Sequence, residues 1–178
     1  MNISSVNALL KILEEPSDNN YFILINNQQA DLVETISSRC LKSNIFLSSI
    51  QKNEVINYLT KDRGITNLIG SDTNLTPGLF LKYNEIYLKY KISTNDNMFI
   101  KLNTLINGYK KDKDKSLISL AYFLIEHSFF YKIKNNENEI EFLLNTKFTI
   151  IKIIKDFVEF NLNINSVLNS IRIKLHNV

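Results

Sequence analysis

Residues 7–27 read NALLKILEEPSDNNYFILINN, and this stretch decides the fold. Apolar residues at positions 6, 9, 10 and 13 follow helical spacing and predict a helix with one apolar face. Pro16 ends this helix, because the residue before a proline avoids the helical region. The apolar run at 21–25 is rich in β-forming residues and predicts a strand buried on both faces of a parallel sheet. A helix followed by such a strand is typical of an α/β domain.

The chain after this stretch is predicted to be mostly α-helical. A short helical turn at 32–36 leads to a second predicted strand at 41–47. One helix and two strands cannot form a complete sheet with covered faces, so the first 47 residues predict the end of an α/β domain. The chain has 4 glycines and 2 prolines, which favours long helices over many tight turns. Further helices are predicted at 51–61, 65–69, 76–90, 98–109, 116–131, 137–160 and 166–175.

Composition limits the classes of function. The formal net charge is +3, which is too small to indicate nucleic-acid binding by itself. Cys40 is the single cysteine, so a disulfide framework or a zinc site cannot be built within the chain, and we expect a reducing cytoplasm. The first residues lack the pattern of a signal peptide, and the sequence has no run of 18 apolar residues that would predict a membrane span.

Three motifs resemble those of bacterial clamp-loader ATPases of the AAA+ class. Residues 7–16 resemble their NALLK-x-LEEP segment, residues 22–27 their sensor-1 strand, and residues 35–40, TISSRC, their T-I-x-S-R-C motif. The resemblance implies the end of an AAA+ ATPase-like domain at 1–47, a helical lid at 48–92 and a helical collar at 93–178. In this family a phosphate loop, a Walker-type acidic strand and a four-cysteine zinc module precede the NALLK helix. Because the sequence has none of them, the chain resembles a subunit whose N-terminal half is absent.

The resemblance also implies residue roles. Arg39 falls in the arginine-finger position, where it would act in trans on ATP held by a neighbouring subunit. Asn26, followed by Asn27, resembles the sensor-1 polar residue, although an asparagine that ends a strand is the more ordinary interpretation. Leu79 occupies the sensor-2 place, where ATP-hydrolysing members carry an arginine. This favours the non-hydrolysing delta-prime branch over the gamma and tau subunits.

The implied function is that of a clamp-loader component in DNA replication, with no cofactor or metal of its own and no intrinsic catalysis expected. Its partners would be the gamma/tau and delta subunits and, through the complex, the sliding clamp and primed DNA. Two alternatives stay open: a truncated gamma/tau-like ATPase, and a stand-alone helical module that binds protein or DNA. Arg39 could also be an ordinary surface arginine. Glu14 and Glu15 are interpreted as a solvated or interface helix end, since adjacent helix residues point about 100° apart.

Overall fold

The computed structural model describes residues 3–16, 19–26, 33–69, 75–135 and 139–176. The chain forms two compact units, Met1–Phe46 and Leu47–Val178. All regular structure in the described residues is helical, which agrees with the predicted mostly-α class. The helices are α1 Ile3–Glu14, α2 Glu34–Ser37, α3 Ser49–Asp62, α4 Pro77–Lys89, α5 Met98–Asp112, α6 Lys115–Asn135, α7 Ile140–Phe160 and α8 Ile164–His176.

The first unit contains α1 and α2, which contact each other. Helix α1 ends at Glu14, shortly before Pro16, as predicted. The two predicted strands are wrong: the backbone at 20–26 and at 41–47 is irregular and belongs to no strand ladder within the described residues. A strand exists only when its backbone groups bond to a neighbouring strand, and an apolar run does not by itself supply one. Tyr21 and Ile25 are accordingly about nine-tenths exposed rather than buried on both faces.

The second unit is a helical assembly with one apolar core. Helix α5 packs against α6 and α8, α6 against α7, α7 against α8, and α3 against α4. Burial of large apolar side chains is the main force that holds such helices together. The fully buried members of this core include Phe80, Leu102, Leu105, Ile106, Leu117, Leu120, Ile125, Phe129, Leu143, Ile150 and Ile154.

Local sequence sets several helix ends of the second unit. Ser48 caps α3 in a capping box with Gln51, and Thr76 caps α4, where Pro77 takes the first helical position as predicted. The predicted helix at 65–69 is wrong, because this segment is irregular. Its Leu68 N–H instead donates a hydrogen bond of 2.7 Å to Oδ1 of Asn84 in α4.

The second unit includes both the predicted lid and the predicted collar, and their boundary at 92 and 93 stays a prediction. Helices α3, α5, α6 and α8 extend one to four residues beyond their predicted bounds, whereas α4 and α7 lie within theirs. Among the described residues, no helix is both long enough and apolar enough to span a membrane.

Candidate arginine-finger site

A short turn in the first unit positions Arg39. Ile36 in α2 is 2% exposed and anchors the turn through its apolar side chain. Backbone bonds close the turn: Ile36 N–H donates to the Val33 carbonyl, and Ser38 N–H to the Glu34 carbonyl. Arg39 N–H donates to the Ile36 carbonyl at 3.1 Å. The backbone of Arg39 is therefore fixed although the residue lies just outside regular secondary structure.

The Arg39 side chain is held by two elements of the first unit. Its Nε donates to Oε1 of Glu14 at 2.6 Å, and its Nη2 forms an ion pair with the same carboxylate oxygen. Its Nη1 donates to the Thr35 carbonyl at 2.8 Å and lies 3.5 Å from the Ser38 hydroxyl. The Arg39 and Glu14 side chains are 38% and 47% exposed. The guanidinium is thus oriented by neighbours, and the Arg39 side chain is partly exposed to solvent.

This arrangement is suited to contact with an anion. A guanidinium is planar, stays charged and has five N–H donors, so it can hold phosphate oxygens at two points. An exposed ion pair contributes only about 0–1 kcal/mol. The contact with Glu14 can therefore orient the guanidinium without binding it so strongly that a phosphate could not approach.

The sequence also predicted site roles for Asn26 and Leu79. Asn26 is exposed in the irregular segment 20–26, and Asn27 lies outside the described residues. Leu79 is in the first turn of α4, where its N–H donates to the Thr76 hydroxyl at 3.4 Å. Its apolar side chain is 36% exposed and has no group that could pair with a phosphate. Cys40 is a half-buried free thiol.

The sequence interpretation missed the partnership between Glu14 and Arg39. These residues are 25 positions apart, and they meet because α1 contacts α2. Nothing in the local pattern marks that contact. The opposite charges of Glu14 and Arg39 were the only signal in the sequence that could have suggested it.

Clear pKa shifts occur in the second unit. Burial, together with the charge of Asp96, raises the pKa of Tyr87 to about 12. The hydroxyl of Tyr90 donates to Asp112 at 2.5 Å and, with Lys89, lowers the pKa of that carboxyl group. Lys89 and Tyr90 thus join the end of α4 to Asp112 at the end of α5.

No cluster of three or more metal-ligating side chains occurs in the described part of the chain.

Comparison with known proteins gives consistent matches. A family model described as DNA polymerase III, delta subunit, matches residues 1–48. The DNA polymerase III subunit delta' of Buchnera aphidicola subsp. Baizongia pistaciae is 29% identical over 93% of this chain and 50% of its own length. The subunit of the same name from Buchnera aphidicola subsp. Schizaphis graminum is 31% identical over 80% of this chain and 44% of its own length. That of Pseudomonas aeruginosa is 50% identical over 42 residues, which are 24% of this chain and 13% of its own length. No solved structure matches the chain.

These matches, together with the motifs at residues 7–40, show that the chain is similar to bacterial DNA polymerase III subunits. Within that class, the chain is a homologue of the delta-prime subunit. The resemblance predicted from the three motifs is therefore confirmed. The chain spans half or less of the length of the curated relatives it matches.

Proposed function

We propose that this protein is a non-hydrolysing component of a clamp loader and supplies Arg39 in trans to ATP bound by a neighbouring subunit. In this proposal residues 1–47 are the end of an ATPase-like domain, residues 48–92 a lid and residues 93–178 a collar that holds the ring of subunits together. The protein binds no ATP itself and works in the cytoplasm. Its neighbours are gamma/tau and delta subunits, which load the sliding clamp onto primed DNA.

The observation that carries the proposal is the environment of Arg39. Its guanidinium is held at Nε and Nη1 by Glu14 and Thr35, and the Arg39 side chain as a whole is 38% exposed. The partial exposure of the side chain leaves room for a phosphate from another subunit, which a finger acting in trans requires. The apolar Leu79 at the start of α4 supports the non-hydrolysing branch, because it offers no charge to a nucleotide bound by this chain.

The chemistry follows from the charge that develops during phosphoryl transfer. Negative charge spreads over the oxygens of the transferred γ-phosphoryl group, and the protein accelerates the reaction mainly by stabilising that charge. Arg39 donates hydrogen bonds to these oxygens from outside the nucleotide-binding subunit. In well-studied GTPases such a finger accounts for about 10³–10⁵ in rate.

The test is DNA-stimulated ATP hydrolysis by the clamp-loader complex reconstituted with this protein. Arg39→Ala should lower the hydrolysis rate while the complex still assembles. Arg63→Ala is the matched control, because Arg63 is an exposed arginine that caps the end of α3 in the second unit. Equal rates for the Arg39 variant and the wild type would remove the finger role. Binding of ATP by this protein alone would instead favour a gamma-like ATPase.

A further inference from the structure

The contact between Glu14 and Arg39 has a directional geometry. Nε and Nη2 of Arg39 share one oxygen, Oε1 of Glu14. In a planar guanidinium these two nitrogens form one side edge, and their N–H bonds on that edge are nearly parallel. The carboxylate therefore occupies the side edge, while the opposite corner at Nη1 donates to the Thr35 carbonyl. The second N–H bonds of Nη1 and Nη2 form the end of the fork, and Nη1 also makes a long contact of 3.5 Å with the Ser38 hydroxyl.

We propose that Glu14 is a positioning residue that holds Arg39 by its side edge and directs the Nη1–Nη2 end of the guanidinium toward the phosphate of an incoming nucleotide. This inference rests on the proposed finger function of Arg39. It gives Glu14, in the LEEP segment at residues 13–16, a role in orienting the arginine finger. The sequence alone predicts a solvated or interface helix end there. Glu14 itself touches no nucleotide.

Helix α1 makes Glu14 a firm support. Glu14 is the last residue of α1, and Glu15 N–H still donates to the Lys11 carbonyl at 3.1 Å, so the backbone here keeps helical geometry. Pro16 follows and prevents the helix from continuing. The carboxylate thus projects from a defined point at the end of α1.

An unsupported arginine would serve poorly as a finger. Its side chain carries about 2 kcal/mol of rotamer entropy, which binding to phosphate would have to overcome. Catalytic groups work best when they are oriented before the reaction starts, because little reorganisation is then needed in the transition state. Contacts with Glu14 and Thr35 on two sides of the guanidinium supply that orientation. Because the ion pair is exposed, it is weak enough to let a phosphate share the guanidinium.

The test compares Glu14→Ala, Glu14→Gln and Glu15→Ala in the reconstituted complex. Misplacement by about 1 Å can cost up to about 100-fold in rate, so we expect Glu14→Ala to lower kcat for ATP about tenfold with little change in KM. The kcat of Glu14→Gln should lie between those of Glu14→Ala and the wild type, because the amide oxygen still accepts a hydrogen bond from Nε of Arg39. Glu15→Ala removes an equal charge from the next exposed residue and should leave kcat unchanged.

A double variant separates positioning from a structural role. In the background of Arg39→Ala, Glu14→Ala should cause no further loss of kcat, because no finger remains to be oriented. A further loss equal to that in the wild-type background would overturn the inference. So would a kcat for Glu14→Ala that equals that of the Glu15 control, or one above that of the wild type.

The two proposals fail in different ways. If Arg39→Ala itself leaves hydrolysis unchanged, the finger function is wrong and the positioning role falls with it. If Arg39→Ala lowers hydrolysis and Glu14→Ala does not, the finger stands and only the role of Glu14 is wrong.

Discussion

Replacement of Asn84 by alanine should destabilise the second unit. Asn84 lies in α4 and is fully buried. Its Oδ1 accepts a hydrogen bond from Leu68 N–H at 2.7 Å, and its Nδ2 donates to the Phe80 carbonyl at 2.8 Å. The first bond joins the irregular segment 65–69 to α4. The second is local to the helix, where the Phe80 carbonyl also has its helical partner.

The expected magnitude follows from which groups lose a partner. Asn84→Ala leaves the half-buried Leu68 N–H without its acceptor and removes side-chain volume from a fully buried position, which together cost about 2 kcal/mol. Alanine favours the helix over asparagine by about 0.5 kcal/mol. The net loss in the free energy of unfolding is therefore about 1.5 kcal/mol. With a urea m-value of about 2 kcal/mol/M, the unfolding midpoint falls by about 0.7 M.

The assay is urea unfolding of the whole protein followed by helical circular dichroism. Asn107→Ala is the matched control, because Nδ2 of Asn107 also donates to the carbonyl four residues earlier, that of Asn103, at 2.8 Å. Asn107 is exposed, so its replacement should change stability by no more than about 0.5 kcal/mol. Equal midpoints for the two variants would refute the claim that Asn84 fixes the 65–69 segment.

Two further predictions concern the second unit. Thr76→Ala should lower the free energy of unfolding by about 1 kcal/mol, because the N-cap of α4 is lost, whereas Thr76→Ser keeps the capping hydroxyl; equal urea midpoints for both variants would contradict the cap. Because burial raises the folded-state pKa of Tyr87 from 10.0 to about 12, the unfolded chain ionises first. The contribution of Tyr87 to stability is complete below pH 10 and is lost as the pH rises to about 12. Tyr87→Phe should remove that part of the pH dependence in urea titrations, and an unchanged profile would argue against it.

The features that the sequence predicted well depend on neighbouring residues. Helical spacing of apolar residues indicated the helices of the second unit, and Thr76 with Pro77 marked the start of α4 because a cap acts within one turn. The motif at 35–40 placed Arg39 at the end of a short turn, which the structure also shows.

The features that the sequence did not predict depend on distant contacts. The runs at 21–25 and 41–47 have strand composition, but strand formation requires a partner that composition does not reveal. Leu68 bonds to the Asn84 side chain 16 residues away instead of continuing a helix. The pairing of Glu14 with Arg39 requires α1 to contact α2, and the pattern of each helix alone says nothing of that contact.

The most direct test of the central claim is single-turnover hydrolysis of ATP by the clamp-loader complex reconstituted with Arg39→Ala. If Arg39 is a finger in trans, the ATP bound at the site that faces it should hydrolyse about 10³-fold or more slowly, as a separate slow phase. ATP at other sites should keep its wild-type rate, and assembly of the complex should be unchanged. If every phase keeps the wild-type rate in a fully assembled complex, the account of Arg39 is contradicted.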